Sequence, residues 1–187
     1  GKNGLAAWWA FDGDFKDSAG TNHGTPKGDA KIVTDAQRGQ VLVVDGIGDY
    51  VEVPNSPSLN ITGNQIALTA WANFDSVATV QMIVCKVFSN TTHVSPYFSY
   101  GLHALANGQP RFWIARTGGA SNRAGTAGMF KAQTWHHIAG VYNGAQLRLY
   151  IDGAFVGATN ATGNLAGYDT VLRLGTNGAL TETLAGK

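Results

Sequence analysis

Several aromatic, basic and amide side chains in the middle of the sequence could contact a sugar. If Phe98 and Phe112 point into a core, strand alternation turns the residues between them to the other face. An outward indole such as Trp113 offers a surface to the apolar face of a pyranose, and neighbouring donors can bind its hydroxyl groups. The alternative is that Trp113 is buried by the opposite sheet or by a loop. The candidate ligand-binding residues are Tyr97, His103, Arg111, Trp113, Arg116 and Asn122.

A second candidate site is an acidic loop near the start of the sequence. Asp12, Asp14, Asp17 and Asn22 lie within eleven residues, around Gly20. Ca²⁺ prefers carboxylate and carbonyl oxygens, and this loop offers both. The sequence predicts one structural Ca²⁺ held by Asp12, Asp17, Asn22 and a backbone carbonyl near Gly20. The alternative is that these side chains cap turns.

Other reactive side chains do not form a recognisable chemical site. Cys85 is the one cysteine and lies in the apolar run 80–85, so we expect a buried small hydrophobe and no disulfide. His136 and His137 are adjacent, and neighbours on a strand point to opposite faces, so they do not form a zinc chelate.

The rest of the sequence predicts an all-β scaffold. Short runs rich in Val, Ile, Trp, Tyr and Phe recur between clusters of Gly, Asn and Asp. The clearest hairpin joins Trp135–Tyr142 to Gln146–Ile151 through Asn143 and Gly144. A single open sheet of so many strands tends to split into two packed sheets. We therefore expect a two-sheet antiparallel β-sandwich of the jelly-roll type. Segments 89–96 and 117–128 are predicted to be loops.

Composition excludes several classes of function. The 187 residues suit a single domain over 1–187, and 13 basic against 12 acidic residues leave a net charge of +1. Without a basic stripe, nucleic acid is not an expected partner. No apolar run is long enough to predict a membrane span.

The sequence resembles the LamG-like jelly-roll family, within the concanavalin A-like lectin and glucanase superfamily. The similarity covers nearly the whole chain, and five segments occur in the family's order. They are 5–12, which resembles the opening strand of that family, then 17–24, 43–53, 135–142 and 149–153. In addition, Trp71 falls where the family places a tryptophan.

The resemblance carries its own expectations for this chain. It implies a core that includes Trp8 or Trp9, Trp71 and Trp135, and it supports a structural Ca²⁺ at the first loop. The family's last strand would follow residues 185–187, so the resemblance implies a domain that lacks this strand.

Enzymes of this family use residue patterns that the sequence does not contain. Its glycosidases place two carboxylates two or four residues apart on one strand. Glu52 and Glu182 are the glutamates of this sequence, and neither has an acidic neighbour at those spacings. Its lyases need Tyr, His, Arg and Gln side chains on one sheet face. In this sequence Tyr97 and His103 share a face, but Tyr100 points to the opposite one.

Together these features predict a non-catalytic carbohydrate-binding module within a larger secreted or cell-surface protein, with a glycan or polysaccharide as partner. A laminin G-type protein-binding adhesion module is the alternative, and a polysaccharide lyase is a third one.

Overall fold

The β-branched and aromatic runs form fourteen antiparallel strands in the computed structural model, which describes residues 4–187. A short 3₁₀ turn at Ala106–Gly108 separates β7 from β8. The strands are β1 (Thr25–Lys27), β2 (Lys31–Asp35), β3 (Gly39–Asp45), β4 (Tyr50–Val53), β5 (Ile66–Asn73), β6 (Gln81–Val87), β7 (Phe98–Leu105), β8 (Gln109–Ala115), β9 (Ser121–Gly125), β10 (Trp135–Tyr142), β11 (Gln146–Ile151), β12 (Ala154–Asn160), β13 (Leu172–Leu174) and β14 (Ala185–Gly186).

These strands build two layers. The first is a seven-stranded sheet of order β1-β4-β13-β6-β7-β8-β9. The second contains the four-stranded sheet β12-β11-β10-β5 and the three-stranded sheet β14-β3-β2. Gly186 pairs with Val44 on one side and bridges to Phe74 on the other, so β14 joins these two sheets. The predicted antiparallel β-sandwich of the jelly-roll type is confirmed.

The core lies between the layers and follows the alternation along the strands. Phe112 and Ile114 of the first sheet are fully buried, as are Ile138 and Leu149 of the second. Gly140 allows the two layers to approach closely, because a Cβ there would lie 2.4 Å from the Phe112 ring. Alternation along β8 turns Arg111 and Trp113 outward, as the sequence predicts.

Two tryptophans expected in the core lie on the outer face of the second sheet instead. Trp71 is 48% exposed, and Trp135 is half-buried outside the core. The Arg38 guanidinium lies 3.2 Å from the Trp71 ring centroid and 5.8 Å from that of Trp135. The core expectation was wrong here because these rings pack on an arginine. Of the first pair, Trp9 packs against the core and Trp8 is exposed.

Three segments differ from their sequence-based predictions. The predicted opening strand at 5–12 forms only an isolated bridge between Trp9 and Asp17. The predicted loop 117–128 contains β9, which pairs with β8. Residues 185–186, after which the family's last strand was expected, themselves form β14. Within residues 4–187 no helix has the length and apolar character needed to cross a membrane.

Candidate functional site

An aromatic cluster lies on the outer face of the first sheet, where β7, β8 and β9 run side by side. Trp113 of β8 is paired with Gly101 of β7 and Arg123 of β9. The Trp113 ring centroid lies 5.8 Å from that of Tyr97 and 5.7 Å from that of Phe98, both at nearly perpendicular angles. The opposing glycine leaves room for these rings above the sheet. Tyr97 and Trp113, predicted from the sequence as ligand contacts, are therefore neighbours.

Phe98 belongs to this cluster rather than to the core. The register between β6 and β7 shifts at Lys86 and Val87, so that Tyr100 pairs with Lys86 while Phe98 pairs with Val87. The irregularity turns Phe98 to the outer face, where its ring lies 5.8 Å from that of His103. Simple alternation, which placed Phe98 in the core, fails because of this irregularity.

Three ring nitrogens in the cluster are buried without a hydrogen-bond partner among the described residues. They are Trp113 Nε1, His103 Nδ1 and His93 Nδ1. His93 connects to the cluster through its ring, which lies 4.7 Å from that of Tyr97. Buried polar atoms nearly always have a partner, and leaving one unpaired costs about 1–3 kcal/mol. An ordered internal water would satisfy these atoms, since none of them is open to bulk solvent.

Positive charge surrounds the buried imidazole of His103. Burial, together with the charges of Arg111, His93 and Arg123, lowers the pKa of His103 to about 3. The imidazole is therefore neutral near pH 7. It offers the cluster a hydrogen-bonding ring without an added charge.

Arg111 is held in place beside His103 by backbone carbonyls. Its Nη1 donates to Pro110 O and Thr126 O, each at 2.9 Å, and its Nη2 donates to Gln109 Oε1 at 2.9 Å. Burial lowers the pKa of Arg111, and the charge of Arg123 lowers it further. The group stays charged at neutral pH because the ordinary arginine pKa is far above 7.

One buried arginine joins the loop 88–97, which carries His93 and Tyr97, to the segment 175–184. Arg173 donates to Glu52 Oε2 at 3.1 Å and to the carbonyls of Asn90, Asn177 and Gly178. These carbonyls belong to the segments 88–97 and 175–184, which are also joined by the His93–Glu182 contact of 3.3 Å. The position of His93 and Tyr97 therefore depends on a contact outside the site.

Two predicted ligand contacts lie away from the cluster. Arg116 follows β8 and donates to Thr162 O. Asn122 pairs with the buried Ile114 and shares its face of β9 with the buried Ala124, so it points to the inner side of the sheet. The structure thus brings together Tyr97, His103, Arg111 and Trp113 but not these two.

Arg123 is the main residue that sequence reasoning missed. It is exposed, and its Cζ lies 5.6 Å from the Trp113 ring centroid. The signal was Gly118 and Gly119, whose φ values of 89° and 86° suit a hairpin turn. A hairpin there pairs β9 with β8 and alternates Arg123 to the face of Trp113. Phe98 and His93 were missed because strand irregularity and loop packing place them.

The acidic loop is built around Asp17 in a way that does not fit calcium. Its Oδ1 accepts from the amides of Trp8 and Ala19 at 2.9 and 2.8 Å, and its Oδ2 accepts from Asn22 N at 3.1 Å. A cation at these oxygens would meet N–H groups pointing at it. Asp12 is exposed and takes no part in these hydrogen bonds.

The Asn22 side chain is also used within the protein. Its oxygen accepts from the hydroxyls of Ser56 and Ser58, and its nitrogen donates to Ala6 O at 2.9 Å. Among residues 4–187, no three His, Cys, Asp or Glu side chains are grouped to hold a metal ion. The predicted ligands Asp12, Asp17, Asn22 and Gly20 thus match turn capping better than ion coordination, and calcium binding stays a prediction of the sequence alone.

Two surface clefts lie away from the aromatic cluster. One has a volume of about 330 Å³ and is lined in part by Asp45, Ser76 and Thr183. The other, of about 340 Å³, lies beside Ile66 and Tyr142.

Solved structures share this fold across most of the chain. The binding domain of Paraclostridial Mosquitocidal Protein 1 has a TM-score of 0.67 and 14% identity, over 85% of this chain and 41% of that one. Domain 4 of AbnA, a GH43 extracellular arabinanase from Geobacillus stearothermophilus in complex with arabinotriose, has a TM-score of 0.66 and 17% identity, over 92% and 84%. The receptor binding domain of botulinum neurotoxin D has a TM-score of 0.62 and 12% identity, over 85% of this chain and 41% of that one. At such identities the similarity establishes the fold alone.

The chain thus spans about two fifths of the toxin binding-domain chains that it matches. A search of curated proteins finds no match. The family model described as the concanavalin A-like lectin/glucanases superfamily matches residues 45–187, which is more than half of the chain. The similarity that the sequence carries is therefore confirmed, and the chain belongs to the concanavalin A-like lectin/glucanase superfamily.

Proposed function

We propose that this chain is a non-catalytic carbohydrate-binding module of a larger extracellular protein, and that sugar binds at the aromatic cluster around Trp113. The observation that carries the proposal is the half-buried indole of Trp113 on the outer face of the first sheet, with Tyr97 and the exposed Arg123 beside it. A pyranose can pack its apolar face on this ring while the guanidinium donors of Arg123 bind its hydroxyl groups. The buried nitrogens of Trp113, His93 and His103 lie beneath this surface.

Structures with the same fold support this proposal. One is a domain of an extracellular arabinanase in complex with arabinotriose, and others are binding domains of toxins. The partial coverage of the toxin chains supports the view that the module works within a larger protein. An extracellular location is proposed on the same grounds.

Sugar binding is tested by titrating the protein with a panel of oligosaccharides and polysaccharides, with calorimetry as readout. Trp113→Ala should abolish binding, because the aromatic surface on which the sugar packs is lost. Trp113→Phe keeps a smaller aromatic surface, so it should retain weakened binding. Trp71→Ala is the matched control, since it removes an exposed tryptophan from the other sheet. Binding that survives Trp113→Ala would overturn the proposed site.

A protein-binding adhesion module is the second candidate, and a different surface favours it. Phe155 is 59% exposed on β12, with its ring 5.7 Å from that of Tyr150, and Trp71 is exposed on the same sheet. Exposed aromatic side chains of this kind are enriched in protein interfaces. Under this alternative, a glycan array stays blank, and Phe155→Ser rather than Trp113→Ala weakens binding to cells. Release of unsaturated sugar from a polysaccharide would instead indicate a lyase.

A further inference from the structure

Two arginines beside Trp113 carry charge that no carboxylate in the described part of the chain neutralises. The ion pairs of residues 4–187 include Arg173 but neither Arg111 nor Arg123. Glu182, the acidic group that contacts the cluster, is paired with His93 at 3.3 Å, and Glu52 of the same sheet is paired with Arg173. Like charges held close together without a counterion raise the free energy of the folded protein. Such an arrangement is typical of a site that binds an anion.

The two guanidinium groups are placed on both sides of the indole. Arg111 lies two residues before Trp113 on β8 and therefore shares its face, while Arg123 is its partner across the β8–β9 pair. A ring stacked on Trp113 would thus have a cation along the strand and another across it. The distances between side chains in such pairs are short enough for one sugar to contact both.

Arg111 is oriented but not saturated. Its three hydrogen bonds occupy both hydrogens of Nη1 and one of Nη2, and a guanidinium has five N–H donors. A Cβ at Gly125 would lie 2.3 Å from Arg111 Nη1, so the side chain lies directly on this glycine. Arg123 makes no hydrogen bond through its side chain to another described residue and contacts the indole face. Both groups therefore keep donors for a ligand.

We propose that the Trp113 site selects acidic carbohydrate, in which a carboxylate or sulfate on the sugar binds Arg111 and Arg123 while the ring packs on the indole. This inference rests on the proposed function, because it assigns the ligand class of the same site. A guanidinium binds carboxylate and sulfate oxygens with similar geometry. The two sources are separated by the choice of ligands.

The test compares acidic polysaccharides with neutral counterparts of the same linkage. Polygalacturonate is compared with its carboxyl-reduced form, and a sulfated galactan with its desulfated form, by calorimetry on the whole chain. At least one acidic form should bind more tightly than its neutral counterpart, and added NaCl should weaken that binding. Equal affinity for both members of each pair would overturn the inference and leave the proposed function in place. No binding to any of the four, while a neutral sugar of the wider panel binds, would also overturn the inference alone, and no binding to any sugar of the panel would overturn both.

Two variants test whether the acidic group of the ligand binds through Arg123. Arg123→Gln should weaken the acidic ligand about tenfold, as expected for one charge-assisted hydrogen bond, and leave any neutral ligand unchanged. Arg148→Gln, which removes an exposed arginine from the other sheet, is the matched control. An acidic ligand insensitive to Arg123→Gln contradicts the inference. An acidic ligand lost in Arg123→Gln but kept in Trp113→Ala contradicts the inference too, because packing on the indole is part of it.

Discussion

The guanidinium of Arg123 lies against the indole of Trp113, with 5.6 Å between Cζ and the ring centroid, although ten residues and a turn separate them in the chain. A ligand that packs on Trp113 would therefore meet Arg123 at the same time. Because β9 is the edge strand of its sheet, the arginine is exposed and can adjust to the ligand. One pair of strands, β8 and β9, therefore supplies both the aromatic and the ionic contact of this site.

Arg173→Met is expected to destabilise the fold by roughly 3–5 kcal/mol, the usual range when one partner of a buried ion pair is removed. The substitution leaves Glu52 with the more distant Lys27 at 3.7 Å as its partner and frees the carbonyls of Asn90, Asn177 and Gly178. Urea denaturation measures the loss of stability, and limited proteolysis within 88–97 should become faster. A loss below about 1 kcal/mol would show that the loops are held by other contacts.

His103 should make stability fall as the pH drops from about 6.5 towards 3. Burial lowers the pKa of the folded imidazole to about 3, below its ordinary value of 6.5, so between these values the unfolded state binds a proton that the folded state does not. Each pH unit in this window costs about 1.4 kcal/mol from this group.

The matching measurement is the free energy of unfolding of His103→Leu against wild type as a function of pH. As the pH falls from about 6.5 to 3, wild type should lose more unfolding free energy than His103→Leu, because the variant has no imidazole to protonate in the unfolded state. Phe155→Leu, which changes an exposed side chain of the other sheet without removing a titratable group, is the control and should run parallel to wild type. Parallel curves for His103→Leu would mean that the folded imidazole takes up a proton freely.

Asp17→Ala should lower the free energy of unfolding by on the order of 2 kcal/mol with or without calcium, because several backbone amides lose their acceptor. Burial alone would raise the pKa of Asp17, but hydrogen bonds from the amides of Trp8, Ala19, Asn22 and Gly20 outweigh it and hold the pKa below 3.8. This contribution is present above about pH 3.8 and is lost as the pH falls through the lower folded value.

Thermal melting with added calcium, and separately with a chelator, decides between turn capping and the sequence-based calcium prediction. Capping predicts the same melting temperature in both conditions for the wild-type chain. A rise with calcium that disappears in Asp17→Ala would support the ion, since a ligand specific to the folded state stabilises it.

Cys85 should not react with thiol reagents while the protein is folded. Burial raises the pKa of its thiol to about 12, and Sγ lies 3.1 Å from the carbonyl oxygen of Thr176. The thiolate is the reactive form, so labelling should require unfolding and should follow the urea transition. Rapid labelling in native buffer would reveal local opening of the segment 175–184.

Much of the fold could be predicted from local patterns, while the site could be predicted only in part. The hairpin of β10 and β11 was predictable because alternation and an Asn-Gly turn determine it within one short segment. Trp71 was misplaced because an aromatic residue in an apolar strand has the same pattern whether it meets the core or Arg38. Phe98 was misplaced because an irregular register reverses the face of a side chain, and single-strand alternation does not reveal it.

The two-residue strand β14 also has a consequence for the order in which the protein folds. It is the link between β3 and the end of β5, yet it comes from a distant part of the sequence. Ordering such a remote segment requires the loop-closure entropy to be overcome first, so this pairing is expected late in folding. Until it forms, β3 and β5 present unpaired backbone edges to other chains. A slow final phase, with aggregation that increases with protein concentration during refolding, is the expected kinetic result.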